Sequence, residues 1–324
     1  MSVIDRAYGA LVGLMVGDAF GSQARAIPVE ELARRFPDGI LEMDTIERPV
    51  GSGTVADATE MTLMLATSLV DKGGFDIDDI RYWYKEWFFS DLSVERARDI
   101  TSALQRDYIL NLVESNGALM RIAPLGIYGT RISEEELLNI VAEECLLTHR
   151  SWACEHANQL WVLALRKAIS EESSNEEIYN HMLELANSLN VNSDVMVPLE
   201  RAYTVATSGD DYQEWVVVAF QQALYTLLHA TSIEDGIRTI TMRGGDTGTN
   251  AAIYGMMAGA IHGSEAIPRR WIEALKPSTS LFNLRLRFEM MPHVNRGDNL
   301  RDLLESRIER LDTLAYDLAV GLLG

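Results

Sequence analysis

Along most of the chain, apolar positions recur every three or four residues and seldom every second one, which is the period of helices and not of strands. The C-terminal stretch is the clearest case, with Leu300, Leu304, Ile308, Leu311, Ala315 and Leu318 spaced around Asp, Glu and Arg, an amphipathic helix. The same period predicts helices over roughly 5–21, 59–71, 77–90, 94–113, 116–123, 133–146, 150–169, 175–188, 212–230, 232–242, 248–263 and 268–276. Cap residues mark several starts: Asp57 or Thr59, Ser133 with Glu136, and Ser232 with Asp235. Strand-like alternation is nearly absent and no linker rich in Gly, Pro or Ser divides the chain, so the expectation is one all-α domain over residues 1–324.

Two segments break the amphipathic rule. Gly9, Gly13, Gly17 and Gly21 fall four apart, as do Gly255, Gly259 and Gly263. That spacing lines the glycines on one face of a helix. Each interior glycine costs about 1 kcal/mol of helix propensity, so close backbone approach is the expected return. The two helices are therefore expected to pack together centrally, bringing Asp18 and Asp246 towards a common site.

Composition narrows the classes. The chain has 324 residues, is 47% hydrophobic, and carries 28 Lys plus Arg against 48 Asp plus Glu, a net charge of -20. Such an acidic surface repels nucleic acid and anionic membranes and leaves small molecules or basic protein surfaces as partners. Cys145 and Cys154 are too few for a disulfide framework and badly spaced for zinc, which suits a reducing cytoplasm. The run AYGALVGLMV after Arg6 resembles a signal peptide until Asp18 closes it and reads as a buried helix of the mature protein. No segment approaches the ~20 apolar residues of a membrane span.

Four segments carry the candidate chemistry: GDAFGSQAR (17–25), GSGTVADATEM (51–61), SNGALMRIAPLG (115–126) and RGGDTGTN (243–250). In the last, a Gly-Gly turn precedes a helix. Either Asp246 or Thr247 caps that helix, or Asp246 ligates a hard cation with a hydroxyl from Thr247 or Thr249. Asp57 has the same two readings. Arg121, in an apolar turn that Pro124 is expected to end, needs an internal carboxylate or a ligand phosphate. His149 is either an acid or base or a structural histidine at a helix boundary. The aromatic run Tyr82, Trp83, Tyr84, Trp87, Phe88 and Phe89 is expected to be core. No Ser/His/Asp arrangement, P-loop or dinucleotide fingerprint is evident.

Taken in order, GALVGLMVGDAFGS, the D-x-T-x-M-T-L run at Asp57–Leu63, NGALMRIAPLG, the Thr148-His149 pair and GGDTGTNAAIYGMMAGAIHG resemble the ADP-ribosylglycohydrolase family over most of the chain. The resemblance implies a compact, orthogonal all-α bundle with a cleft for ADP-ribose or a related ribosyl phosphate, free or attached to protein. It also implies two Mg²⁺ or Mn²⁺ ions that help water cleave a glycosidic bond. Active members provide T/S-D-D in the second motif and D-x-D-T in the last; here the residues are Ala56-Asp57-Ala58 and Asp246-Thr247-Gly248-Thr249. Arg25 stands where many members have a glutamate. The set implied by the resemblance is therefore reduced. Asp57 and Asp246 remain as catalytic groups, and with Thr249 they would hold one ion or none. Arg25, Asn116, Gly117, Met120, Arg121, His149 and Gly245 remain as substrate-binding residues. Asp18 is assigned a structural role. Two functions stay open: a hydrolase with a depleted metal site, or an inactive relative that binds ADP-ribose or a protein partner, as a monomer or small homo-oligomer.

Overall fold

A computed structural model describes residues 1–92, 96–109, 113–207, 212–290, 308 and 310–324. In chain order the α-helices are α1 (Val3–Gly21), α2 (Val29–Arg35), α3 (Asp57–Lys72), α4 (Ile77–Ser90), α5 (Arg98–Arg106), α6 (Ala123–Tyr128), α7 (Glu134–Cys145) and α8 (Trp152–Ser170). They continue as α9 (Asn175–Ser188), α10 (Ser193–Arg201), α11 (Val216–His229), α12 (Ile233–Thr241), α13 (Thr247–His262), α14 (Arg269–Glu273), α15 (Thr279–Met290) and α16 (Leu311–Leu323). Among the described residues there is no strand, only two isolated bridges, Thr54 to Lys276 and Ser115 to Trp215. None of these helices is long and apolar enough to cross a membrane.

The centre is the α1–α13 pair. Both helices are buried around nearly their whole circumference, which is the mark of a helix enclosed by others. The glycines mesh as the spacing predicts: Gly9 lies against Gly259, Gly13 against Gly255, Gly17 against Ala251 and Gly21 against Thr247. A Cβ on any of the four would strike the opposing carbonyl, so the backbones touch without intervening side chains. Around this pair pack α3, α6, α8, α12 and α16.

Several boundaries differ from the periodic reading, each for a local reason. Pro124 occupies the first turn of α6 and so begins a helix instead of ending one, since the first-turn N–H that proline lacks would have no helical partner. The segment at 116–123 is a short 3₁₀ turn, Leu119–Arg121, followed by α6. The 94–113 helix shrinks to α5, because Asp107 turns left-handed (φ 53°) and stops it; residues 93–95 and 110–112 lie outside the described residues. Leu300 and Leu304 also lie outside them, while Ile308, Leu311, Ala315 and Leu318 are buried. Helices α2, α10 and α15 were not foreseen. Ser133 and Ser232 cap their helices by accepting from Glu136 and Asp235 amides. The aromatic run packs into the core through Trp83, Tyr84, Trp87 and Phe88, with Phe89 outside it.

Candidate functional site

Asp57 and Asp246 both sit at helix starts, and neither caps. The first amides of α3 are satisfied from a distance: Asp18 Oδ2, near the end of α1, accepts from the amides of Ala56 at 2.8 Å and Thr59 at 3.1 Å. The cap expected from Asp57 or Thr59 is therefore supplied by Asp18, 39 residues before Asp57 in the sequence, and the Asp57 side chain is released. Burial raises the Asp18 carboxyl to about 6, partly opposed by its bonds to Thr59 and Ala56 and reinforced by the nearby Asp57 charge. At α13 the position before the helix is Asp246, yet its side chain makes no cap bond. Thr247 does not cap either; its hydroxyl donates to the Gly21 carbonyl at 2.7 Å across the glycine seam.

The freed carboxylates face one cavity of about 570 Å³, lined by residues that include Arg25, Asp57, Asp99, Ser115, Asn116, Gly117, Met120, Glu214, Gly245, Asp246 and Thr249. Of the residues expected at the site, Arg25, Asp57, Asn116, Gly117, Met120, Gly245, Asp246 and Thr249 all line it. The Asn116 amide donates to Asp246 Oδ2 and Asn250 Oδ1, both at 3.0 Å, so it orients Asp246. Gly244 and Gly245 both have φ of +71°, the left-handed region that glycine enters without penalty, and this turn projects Asp246. Burial raises the Asp246 carboxyl, opposed by Arg25 and Asn116.

Arg121 and His149 do not reach the cavity. Arg121 is 0% exposed. Its guanidinium donates to Glu144 Oε1 at 2.6 Å, to the Thr148 hydroxyl at 2.9 Å and to the Gly117 carbonyl at 3.2 Å, and Tyr84 donates to the same Glu144 oxygen at 2.6 Å. A buried arginine so fully paired has nothing left for a phosphate. His149 is also fully buried. One ring nitrogen meets the Thr148 hydroxyl at 2.7 Å; the other lies 2.7 Å from Asp99 Oδ2 and 2.8 Å from the Ser115 hydroxyl. It stands behind the cavity wall and holds two residues that do line it.

Those two, Asp99 and Ser115, were missed. The Ser115 hydroxyl donates to Asp99 Oδ2 and the Ile100 amide to Asp99 Oδ1. Burial pushes the Asp99 carboxyl up, but the bonds and charge from His149, with Ser115 and the Ile100 amide, outweigh it and hold the group far below the usual range. Asp99 is thus a weakly basic anion beside the cavity. Asp99, Ser115 and His149 come from three segments up to 50 residues apart, so no local motif announces them.

Arg25 completes the geometry. Its Nη1 lies 3.9 Å from Asp57 Oδ1 and its Nε 3.7 Å from Asp246 Oδ1. Among the described residues no three His, Cys, Asp or Glu side chains converge as a metal-binding group. Ala58 is buried and offers no donor, and a Cβ added to Gly248 would come within 2.6 Å of Ser22 Oγ. A donor set of two carboxylates already facing a guanidinium does not fit a pair of divalent ions, which need several anionic oxygens.

A family model for ADP-ribosylglycohydrolase matches residues 1–305. The chain belongs to the ADP-ribosylglycohydrolase family. It is 26% identical to the ADP-ribosyl-[dinitrogen reductase] glycohydrolase of Rhodospirillum rubrum, over 85% of this chain and 91% of that one. It is 25% identical to the ADP-ribosylarginine hydrolase Tri1 of Pseudomonas putida, over 92% and 81%. A solved structure titled "ADP-ribosylglycohydrolase-related protein complex" superposes with a TM-score of 0.75 at 25% identity, covering 98% of this chain and 99% of that chain. Family and fold thus agree with the reading of the motifs.

Proposed function

We propose that this ADP-ribosylglycohydrolase hydrolyses the glycosidic bond at the ribose of an ADP-ribosyl or related phosphorylated ribosyl substrate, using its carboxylates without a two-ion cluster. The observation that carries the reading is the release of Asp57 and Asp246 from helix capping into one cavity that Asp99 also lines. Helix starts ordinarily use such a carboxylate locally, and two carboxylates turned instead towards one cavity with a perturbed neighbour are a functional-site arrangement. The cavity volume of about 570 Å³ lies within the range of small-molecule sites. The relatives' names, ADP-ribosyl-[dinitrogen reductase] glycohydrolase and ADP-ribosylarginine hydrolase, support the substrate class.

In this reading water adds its oxygen to the anomeric carbon as the bond to the leaving group breaks. Asp246, whose carboxyl is raised by burial, takes the water's proton, and the leaving group gains one from solvent. Asp99, kept anionic by His149 and Ser115, opposes the positive charge that develops on the ribose ring. Arg25 holds an anionic part of the substrate.

A second reading, binding without turnover, is favoured by one feature: Ala58 and Gly248 supply no second carboxylate at either motif. Isothermal titration with ADP-ribose, paired with release assays on ADP-ribosyl-arginine and ADP-ribosyl-serine peptides, separates the two. Hydrolysis predicts release from at least one peptide and its loss in Asp246→Asn. Binding intact with no release from either peptide would make the chain an ADP-ribose-binding relative.

A further inference from the structure

We propose that the Arg25 guanidinium is the permanent counter-cation of Asp57 and Asp246, so that the cavity engages its ligand through a fixed protein charge in place of divalent ions. The ligand part rests on the ADP-ribosyl reading above; the cation part does not.

Arg25 is held where it is by built structure. The next residue, Ala26, adopts φ of +61°, a left-handed conformation that costs a non-glycine residue energy and persists only when its surroundings impose it. The constraint is the Ala26 amide, which donates to the Gly245 carbonyl at 2.9 Å. Gly245 immediately precedes Asp246, so the turn that carries the arginine is fastened to the turn that carries the carboxylate. Asp246 Oδ1, which faces Arg25 Nε, is buried and receives no hydrogen bond. The positive charge that faces this oxygen is the guanidinium, while Asn116 donates to the other oxygen, Oδ2. Arg25 responds to both carboxylates: its pKa is raised, chiefly by Asp57, with Asp246 also contributing against the opposing effect of burial.

The separations of 3.7 and 3.9 Å are ion-pair distances and exceed hydrogen-bond range. The side chain is 47% exposed and hydrogen-bonds to no described residue, which leaves the five donors of a guanidinium for ligand oxygens, such as ribose hydroxyls or a phosphate. A cation seated on Asp57 and Asp246 would have to displace Arg25. Gly248 itself carries no side-chain donor, and a Cβ there would meet the Ser22 hydroxyl at 2.6 Å.

The test is calorimetric and needs no turnover. Wild-type protein should give no binding heat with Mn²⁺, and its ADP-ribose affinity should be the same in EDTA as in millimolar Mn²⁺. Arg25→Ala should weaken ADP-ribose binding by about tenfold or more, and Arg25→Glu, a change at an exposed position, should acquire Mn²⁺ binding. Stoichiometric Mn²⁺ binding by wild type that is lost in Asp57→Asn would overturn the inference, as would an ADP-ribose affinity that rises about tenfold with Mn²⁺. Should ADP-ribose bind under neither condition, the pocket reading fails, and the Mn²⁺ titrations of wild type and Arg25→Glu decide the cation part alone.

Discussion

Asp18 separates two contributions that usually travel together, the acceptor and the charge. Both α3 amides that it satisfies bond to the same oxygen, Oδ2, so asparagine, with one carbonyl oxygen, can replace it as an acceptor, whereas alanine cannot. Asp18→Ala leaves the half-buried Ala56 amide and the buried Thr59 amide without this partner, at about 1–3 kcal/mol for a fully buried group and less for a half-buried one, and should cost about 2–4 kcal/mol. Asp18→Asn removes a charge whose burial raises the carboxyl from 3.8 to about 6, a difference worth about 3 kcal/mol. Because the folded-state pKa is the higher one, the group's contribution to stability is complete below pH 3.8 and is lost as pH rises through about 6. The asparagine variant lacks that loss. Relative to wild type it should gain up to about 3 kcal/mol between pH 4 and pH 7.5, becoming neutral or stabilising at the upper end. Urea denaturation followed by tryptophan fluorescence at several pH values measures this. Parallel profiles for wild type and Asp18→Asn, or an asparagine variant as unstable as alanine at pH 7.5, would refute the reasoning.

Further substitutions test the glycine seam and the buried Arg121–Glu144 pair. Gly13→Ala places a methyl on the Gly255 carbonyl and should lower stability by about 1–3 kcal/mol despite alanine's better helix propensity, while Gly74→Ala, whose Cβ would meet only the Tyr128 hydroxyl at 3.6 Å, should change it by less than about 0.5 kcal/mol; a raised melting temperature for Gly13→Ala would contradict the seam. Arg121→Met strands Glu144 and should cost about 3–5 kcal/mol, with Arg121→Met/Glu144→Met costing less than the single change; additive costs in denaturant titrations would show that the pair is not coupled.

The central packing could be read from the chain because four-residue glycine spacing has a single geometric meaning on a helix, and Gly9 to Gly21 and Gly255 to Gly263 meet as that meaning requires. For Asp57 and Asp246 the sequence leaves cap and ligand both open, and the structure removes the cap reading: Asp18, from another helix, serves the start of α3, and Asp246 makes no cap bond at α13. Arg121 was selected for the right physical reason, a buried charge needing a partner, and the partner is Glu144 from α7. Asp99 lies in an ordinary amphipathic segment and Ser115 only opens the SNGALMRIAPLG stretch, and the fold alone brings both to His149. Pro124 carries the general lesson about punctuation, since a proline breaks a preceding helix or starts the next one, and the period on either side decides which.

The glycine seam also sets the order in which this protein can be made. Its two strips, residues 9–21 and 247–263, are separated by more than 200 residues, and closing so long a loop carries an entropic cost that local helix formation does not repay. In N-to-C synthesis the first strip is made well before its partner, and the seam can close only once residues 247–263 have been made. The cavity therefore has no early precursor: Asp57 and Arg25 are present from the start, but the turn that holds Asp246 arrives with the same strip that completes the core. The strip that closes the core is thus also the one that completes the pocket.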